Sequence, residues 1–507
     1  MEKTIFELLE ITSNKFPEKI AFSDSKREIC YRSFVEESKE IASEIIKYGW
    51  FNKPIAIFID KNINCLTSMI ATNYSGNFYT VIDTKMPEDR IKNIIKTLEP
   101  VCFLTDSKNY NRINQINEKA TIINIDNIEK SINIELLKNV HEEIIDTNPM
   151  YVLFTSGSTG MPKGTVLTHK AVISYVTWYK NTFDINEKTI FGSQTPFYFS
   201  MSVSDVFSTM ISGATLHIIP KMLFSFPVKL IEFLNEKEIN TIYWVPSALC
   251  IIANFKALDF TIPKTLKNIF FAGEVMPTKQ LNIWRRKLPS ARFANLFGPT
   301  ETTDICSYYI IDREFSDDEN LPIGKHCNNC DLIILKSNNE IAQGEEEGEL
   351  CARGSFLSVG YYKNPEKTSE VFIQNPLNNE YPEVIYRTGD LVKRNSLGEL
   401  IYVSRKDFQI KHMGYRIELG EIENAANAIN GLEIGVCIYD KTNSKIVLFY
   451  KSNDIENNTV IEGIKLKVPQ YMWPNEIIKI NRVPYNSNGK IDRKKLMSDY
   501  ADGKYND

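Results

Sequence analysis

The chain is poor in the residues that would mark it as secreted, metal-binding or membrane-spanning. Cysteine is sparse, with nine in 507 residues, too few and too scattered for a disulfide framework. Cys327 and Cys330 form a CxxC spacing, but no second pair lies at a distance that would complete a zinc site. They read as two ordinary thiols in a loop before a strand. The five histidines show no HxxxH or similar spacing, so the pattern points away from His/Cys metal chemistry. No stretch reaches about 18 uninterrupted apolar residues. The opening MEKTIFELLEITSNKFPEKI carries acids every few residues, without the apolar core of a signal peptide, and the expected location is cytoplasmic. Neither sign of charge dominates: 59 basic against 64 acidic residues give a net −5. Such a balance offers no electrostatic reason to expect nucleic acid as a partner. The phrase GxxxxGK[ST] is also missing, which disfavours a P-loop nucleotidase.

What is present is a large apolar inventory, 43% of the residues, enough for two to four structural units. Val-, Ile- and Phe-rich segments alternate with amphipathic ones. Strands are expected at residues 55–60, 78–82 and 101–105, with helices at 65–74 and 90–98. Strands separated by helices imply βαβ units. The expected fold class is α/β: a large N-terminal domain of mainly parallel sheets with helices, plus a small mobile C-terminal α+β domain. The sharpest punctuation falls at residues 404–407, so the domains are expected at 1–406 and 407–507.

The strongest chemical signal is TSGSTGMPKG over residues 155–164, directly after an apolar strand at 151–154. Gly157, Gly160 and Gly164 let backbone N–H groups turn inward. Thr155, Ser156, Ser158 and Thr159 add hydroxyls, and Lys163 adds positive charge. Together they make a loop that can wrap an anion.

This loop resembles the phosphate-loop signature of the adenylate-forming superfamily, which includes acyl-CoA synthetases, luciferases and peptide-synthetase adenylation domains. Further signatures follow in that family's order: LFGPTETT at 296–303, GELCARG at 348–354 with GYY at 360–362, and YRTGDL at 386–391. SRKDFQIK at 404–411 leads into GYRIELGEIE at 414–423, and VPQYM at 468–472 and NGKIDR at 488–493 close the set. CYRSF at 30–34 and SGNFYTVID at 75–83 are weaker matches. The wording is nearest to stand-alone enzymes of the peptide-synthetase adenylation type.

The resemblance implies an ATP- and Mg²⁺-dependent acid–thiol ligase. Attack of a carboxylate on the α-phosphorus brings two anions together, so catalysis rests on positioning and charge neutralisation. Glu301 is implied as the Mg²⁺ ligand with Thr300 beside it, and Lys490 as the transition-state cation. Phe297 would flank the adenosine, with Gly273 and Asn295 at the nucleotide and Asn295 near the adenine edge. Asp390 would accept the ribose hydroxyls, assisted by Arg405. Asp407 is implied as the hinge, and Gly414 as the glycine of the loop that enters for thiolation. That loop has Met413 where the family usually has Arg.

The acid is read from a departure. Amino-acid-activating relatives carry Phe-Asp where this chain has Phe199-Ser200, and that Asp pairs with the substrate α-ammonium. An unpaired buried ammonium is costly, so an ordinary α-amino acid fits poorly. The mapped pocket is Ser200, Met201, Ser204, Ser247 and Phe270, then Ala272, Leu296, Asp304 and Ile305. Asp304 is its only acid. It is expected to meet either the ammonium of a β- or ω-amino acid such as β-alanine, or the phenol of an acid such as 4-hydroxybenzoate. The alternative is that Asp304 turns away and binds the protein itself. The chain has no HHxxxDG condensation signature and reaches Asp507 without a carrier segment. The expected acceptor is therefore the phosphopantetheine of a separate carrier protein, with free CoA as the alternative.

Overall fold

The computed structural model describes residues 2–117, 119–156, 161–407, 409–485 and 491–505. Two compact units emerge. The first holds Met1–Thr84, Leu98–Leu153 and Gly164–Lys406; the second holds Lys85–Thr97, Phe154–Lys163 and Asp407–Asp507. Among the described residues no helix is long and apolar enough to cross a membrane.

The first unit is built on sheets. Short apolar runs such as TIYW and NIFF have no polar alternation, as strands buried on both faces require. They form the centre of a nine-stranded sheet that runs Lys325–His326, Ser307–Ile310, Arg292–Phe297, Asn268–Phe271, Thr241–Trp244, Ile190–Ser193, Thr215–Ile218, Ile20–Ser23 and Glu28–Cys30. The strands from Arg292–Phe297 to Ile20–Ser23 pair in parallel. Ser307–Ile310 returns antiparallel, placing Ser307 opposite Phe297. A six-stranded sheet orders Thr121–Asn124, Cys102–Thr105, Pro54–Phe58, Phe78–Val81, Pro149–Thr155 and Lys163–Thr168. A third, antiparallel sheet contains Gly348–Gly354, Val384–Arg394 and Leu400–Arg405. Trp244 and Trp284 are fully buried in the core, and each indole N–H donates to a backbone carbonyl. That pairing removes the main penalty of burying a tryptophan.

The second unit is a small α+β body. Ile434–Asp440 pairs antiparallel with Lys445–Lys451, which pairs in parallel with Glu476–Lys479. The helices Leu419–Asn427 and Asn457–Lys465 bury Ile422, Ala426, Val460 and Ile464 in its core. Arg493, at the start of the helix Arg493–Ala501, donates to both Glu423 carboxylate oxygens at 2.8 and 2.7 Å.

Candidate active site

The first unit's site lies where several parallel strands end. Crevices at the carboxyl ends of parallel strands are where such sheets hold ligands. Thr241–Trp244 is followed by Ser247, on the first turn of the helix Pro246–Asn254. Asn268–Phe271 is followed by Ala272 and by Gly273, whose φ of +91° is the left-handed region glycine tolerates. Arg292–Phe297 carries Asn295, Leu296 and Phe297, and runs into a tight return containing the turn Thr300–Thr302. Gly298 permits that return: a Cβ there would stand 2.4 Å from the Asp304 carbonyl oxygen and 2.5 Å from the Ile305 Cα. Both are backbone atoms that cannot swing aside.

Glu301 is 0% exposed, and one carboxylate oxygen accepts the Tyr361 hydroxyl at 2.6 Å. Its carbonyl accepts the Ser358 N–H at 2.8 Å. The neighbouring Thr303 takes φ +68° and donates its hydroxyl to the Phe356 carbonyl. A strained backbone pinned in this way is what holds a functional side chain in one orientation. The hydroxyls of Thr300 and Ser200 lie 3.4 Å apart, joining this turn to the start of the helix Met201–Ser212.

In the antiparallel sheet Asp390 lies opposite Arg405, with the guanidinium 3.0 Å from the carboxylate and both side chains buried. Arg405 also donates to the Thr388 carbonyl, and the Asp390 N–H donates to the Thr388 hydroxyl. Asn295 donates to the Pro322 carbonyl at 2.8 Å, and the Phe297 ring packs 5.9 Å from that of Tyr402.

Of the mapped pocket, Met201, Ser204, Phe270, Ala272, Leu296, Asp304 and Ile305 are buried, while Ser200 and Ser247 are half-buried. Asp304 is 2% exposed. Its Oδ2 accepts hydroxyl hydrogens from Ser204 (2.8 Å), Tyr175 (3.1 Å) and Tyr243 (3.1 Å), and Ser200 also hydrogen-bonds to the carboxylate. Burial pushes its carboxyl up to about 6, against the pull of those hydroxyls. Glu274, nearby in sequence, is already engaged: it accepts the Ser247 N–H at 3.0 Å, an acid at a helix start.

Sequence reasoning missed Tyr175, Tyr243 and Tyr361. Tyr175 lies 129 residues from the acid it serves, outside every motif quoted above; Tyr361 falls within GYY at 360–362, but its contact with Glu301, 60 residues away, depends on tertiary packing.

The second unit holds the other implied residues. Ser156 donates its hydroxyl to the Arg416 carbonyl (2.7 Å) and accepts the Glu418 N–H (3.1 Å). The Thr155 hydroxyl is buried without a partner among the described residues. Lys163 begins the strand Lys163–Thr168. Asp407 accepts the Gln409 N–H at 3.2 Å. Met413 and Gly414, at φ +51° and +80°, form a two-residue turn between Gln409–His412 and Tyr415–Glu418. Positive φ at both central positions is the hairpin turn that glycine eases. Gly157, Ser158, Thr159, Gly160 and Lys490 lie outside the described residues.

The Asp390–Arg405 pair is fixed in the antiparallel sheet, and Glu301 is buried on the turn that follows the parallel strand Arg292–Phe297. The chain belongs to the AMP-binding enzyme family, whose profile matches residues 9–362, and it is an adenylate-forming acid–thiol ligase. It is 30% identical to zwittermicin A synthase ZmaJ of Bacillus cereus, over 98% of this chain and 95% of that protein. It is 28% identical to the D-alanine–D-alanyl carrier protein ligase of Bacillus cytotoxicus, over 98% and 99%. It spans only 45% of the length of another relative, tyrocidine synthase 1 of Brevibacillus parabrevis. In fold it is similar to the Vibrio cholerae adenylation domain AlmE, solved with glycyl-adenosine-5'-phosphate. That likeness has a TM-score of 0.85 and 20% identity, covering 99% of this chain and 98% of that one.

Proposed function

We propose that the enzyme activates a small carboxylic acid lacking the usual α-amino anchor, then passes it to the phosphopantetheine thiol of a separate carrier protein. The observation that carries the first part is Ser200 in place of the ammonium-binding acid, with Asp304 buried one hydrogen bond further in. The second part rests on likeness along nearly the full length of both chains to a D-alanine–carrier ligase. A β- or ω-amino acid and a hydroxylated aryl acid both meet these constraints.

Residues 1–406 would act as the adenylation domain and 407–507 as a mobile domain turning about Asp407. The Asp390–Arg405 pair would bind the ribose hydroxyls, and Asn295, Phe297 and Gly273 the adenine side. The phosphate loop, Thr155 to Lys163, would cradle the pyrophosphate portion. Oxygen donors from Glu301, with Thr300 beside it, suit a hard divalent cation; Mg²⁺ bound there would neutralise phosphate charge. Lys490 would stabilise the pentacoordinate α-phosphorus during adenylation and leave before thiolation, when the turn around Gly414 enters. Reusing one pocket through a domain rotation separates two steps that need different groups.

The test is thioesterification with an accepted acid, run in parallel with holo-carrier protein and with free CoA. Faster loading of the carrier at equal thiol concentration supports this reading. Faster formation of acyl-CoA makes the enzyme an acid–CoA ligase instead.

A further inference from the structure

The acid pocket holds an uneven set of charges. Asp205 and Asp304 are two of the carboxylates buried in the first unit. Asp205 has Lys61 within electrostatic reach, and the Lys61 ammonium donates to the Ser193 carbonyl (3.1 Å) and hydroxyl (3.2 Å). Asp304 has no such neighbour: every group that hydrogen-bonds to it is an uncharged hydroxyl, and no ion pair joins it among the described residues. A buried carboxylate that is neither paired nor neutralised costs several kcal/mol.

Two further observations bear on what Asp304 would meet. The Tyr151 and Tyr179 hydroxyls are buried with no partner among the described residues, and both lie within electrostatic reach of Asp304. Buried hydroxyls left unsatisfied in a native pocket call for an occupant. Aromatic side chains pack around these groups: Tyr179 lies 6.2 Å from Tyr243 and 6.0 Å from Phe270, and Tyr175 lies 5.7 Å from Phe356. Aromatic side chains and one carboxylate together are surroundings that favour an ammonium. A phenol would supply a hydrogen bond but leave the charge unbalanced.

Ser200 joins the Thr300 turn to Asp304: its hydroxyl lies 3.4 Å from that of Thr300 and hydrogen-bonds to the Asp304 carboxylate. The resemblance puts the α-ammonium partner at the position of Ser200, so an ammonium paired with Asp304 would sit farther from the reacting carboxylate. We infer that Asp304, held by Tyr175 and Tyr243, selects a substrate whose ammonium sits beyond the α-carbon, on a β- or ω-amino acid. Tyr175 and Tyr243 are positioning residues: by donating to Oδ2 they hold the carboxylate in one orientation. The inference rests on the adenylation reading above and narrows its substrate.

Acid-dependent ATP–pyrophosphate exchange tests it, using β-alanine, 4-aminobutanoate, L-alanine, D-alanine, propanoate, benzoate and 4-hydroxybenzoate. β-Alanine or 4-aminobutanoate should exceed propanoate by on the order of 10²-fold or more in kcat/KM, the scale of one desolvated ion pair. Asp304→Asn should collapse that ratio toward unity. Tyr243→Phe should lower kcat/KM for the amino acid about 10-fold, mainly through KM, and for propanoate by a smaller factor. The wild-type panel alone overturns the inference if alanine, propanoate or an aryl acid outruns both distal amino acids, whatever the variants' folding. An unchanged β-alanine-to-propanoate ratio in folded Asp304→Asn also overturns it. In both cases the adenylation reading stands, whereas exchange with no acid at all removes that reading and the inference together.

Discussion

Replacing Asp304 with Asn should stabilise the ligand-free protein at alkaline pH even as it damages function. Burial raises the Asp304 carboxyl from 3.8 to about 6, roughly two units at about 1.4 kcal/mol each. Its ionised form therefore costs the fold up to about 3 kcal/mol. The sign follows from linkage: between about pH 4 and 6 the folded chain binds a proton that the unfolded chain has released. Stability is thus lost as pH rises through that window, and the penalty is complete above about 6. Asn keeps an acceptor oxygen for the Tyr175, Tyr243 and Ser204 hydroxyls and carries no charge. The variant should match wild type near pH 4 and exceed it by about 1–3 kcal/mol at pH 8, after some loss of hydrogen-bond strength. Urea unfolding of both proteins across this range, without ligand, is the assay. A variant less stable than wild type at pH 8, by the same margin as at pH 4, would refute the reasoning and make Asp304 a structural acid.

Other perturbations test separate parts of the account. Lys490→Ala should lower adenylation on the order of 10²-fold or more while sparing thioester formation from preformed adenylate; unchanged pyrophosphate exchange would remove its role. Asp407→Pro fixes φ near −65° and should affect the two half-reactions unequally, measured by exchange and by carrier loading; equal losses in a folded protein place the hinge elsewhere. Gly298→Ala forces a Cβ against the Asp304 and Ile305 backbone and should cost roughly 1–3 kcal/mol of stability by overpacking, read from the urea midpoint. Asp390→Ala removes the carboxylate opposite the Arg405 guanidinium and should raise KM for ATP more than for the acid, measured by exchange kinetics.

Much of the scaffold was legible because buried parallel strands write themselves as unbroken apolar runs. The strand expected at residues 101–105 is Cys102–Thr105, and the one expected at 55–60 is Pro54–Phe58. The helix expected from residue 90 begins at Glu88, because Pro87 and two acids make a good first turn that apolar periodicity does not register. The site was legible only where chemistry is concentrated in short strings. Asp390 and Arg405 stand out in their motifs, but their contact depends on how two strands pair. Tyr175 was harder still. Within the helix His169–Phe183 it is one of several buried aromatics, and only tertiary packing decides that its hydroxyl, rather than the partnerless one of Tyr179, reaches Asp304.

As proposed, the chain forms an acyl-adenylate from a distal amino acid. The decisive measurement is mass-spectrometric detection of the enzyme-bound product after incubation with ATP, Mg²⁺ and β-alanine or 4-aminobutanoate, without thiol. An aminoacyl-AMP should appear, formed with release of pyrophosphate and absent when the acid is omitted. ATP consumed to ADP, or no adenylate from either acid while an α-amino acid gives one, would contradict it.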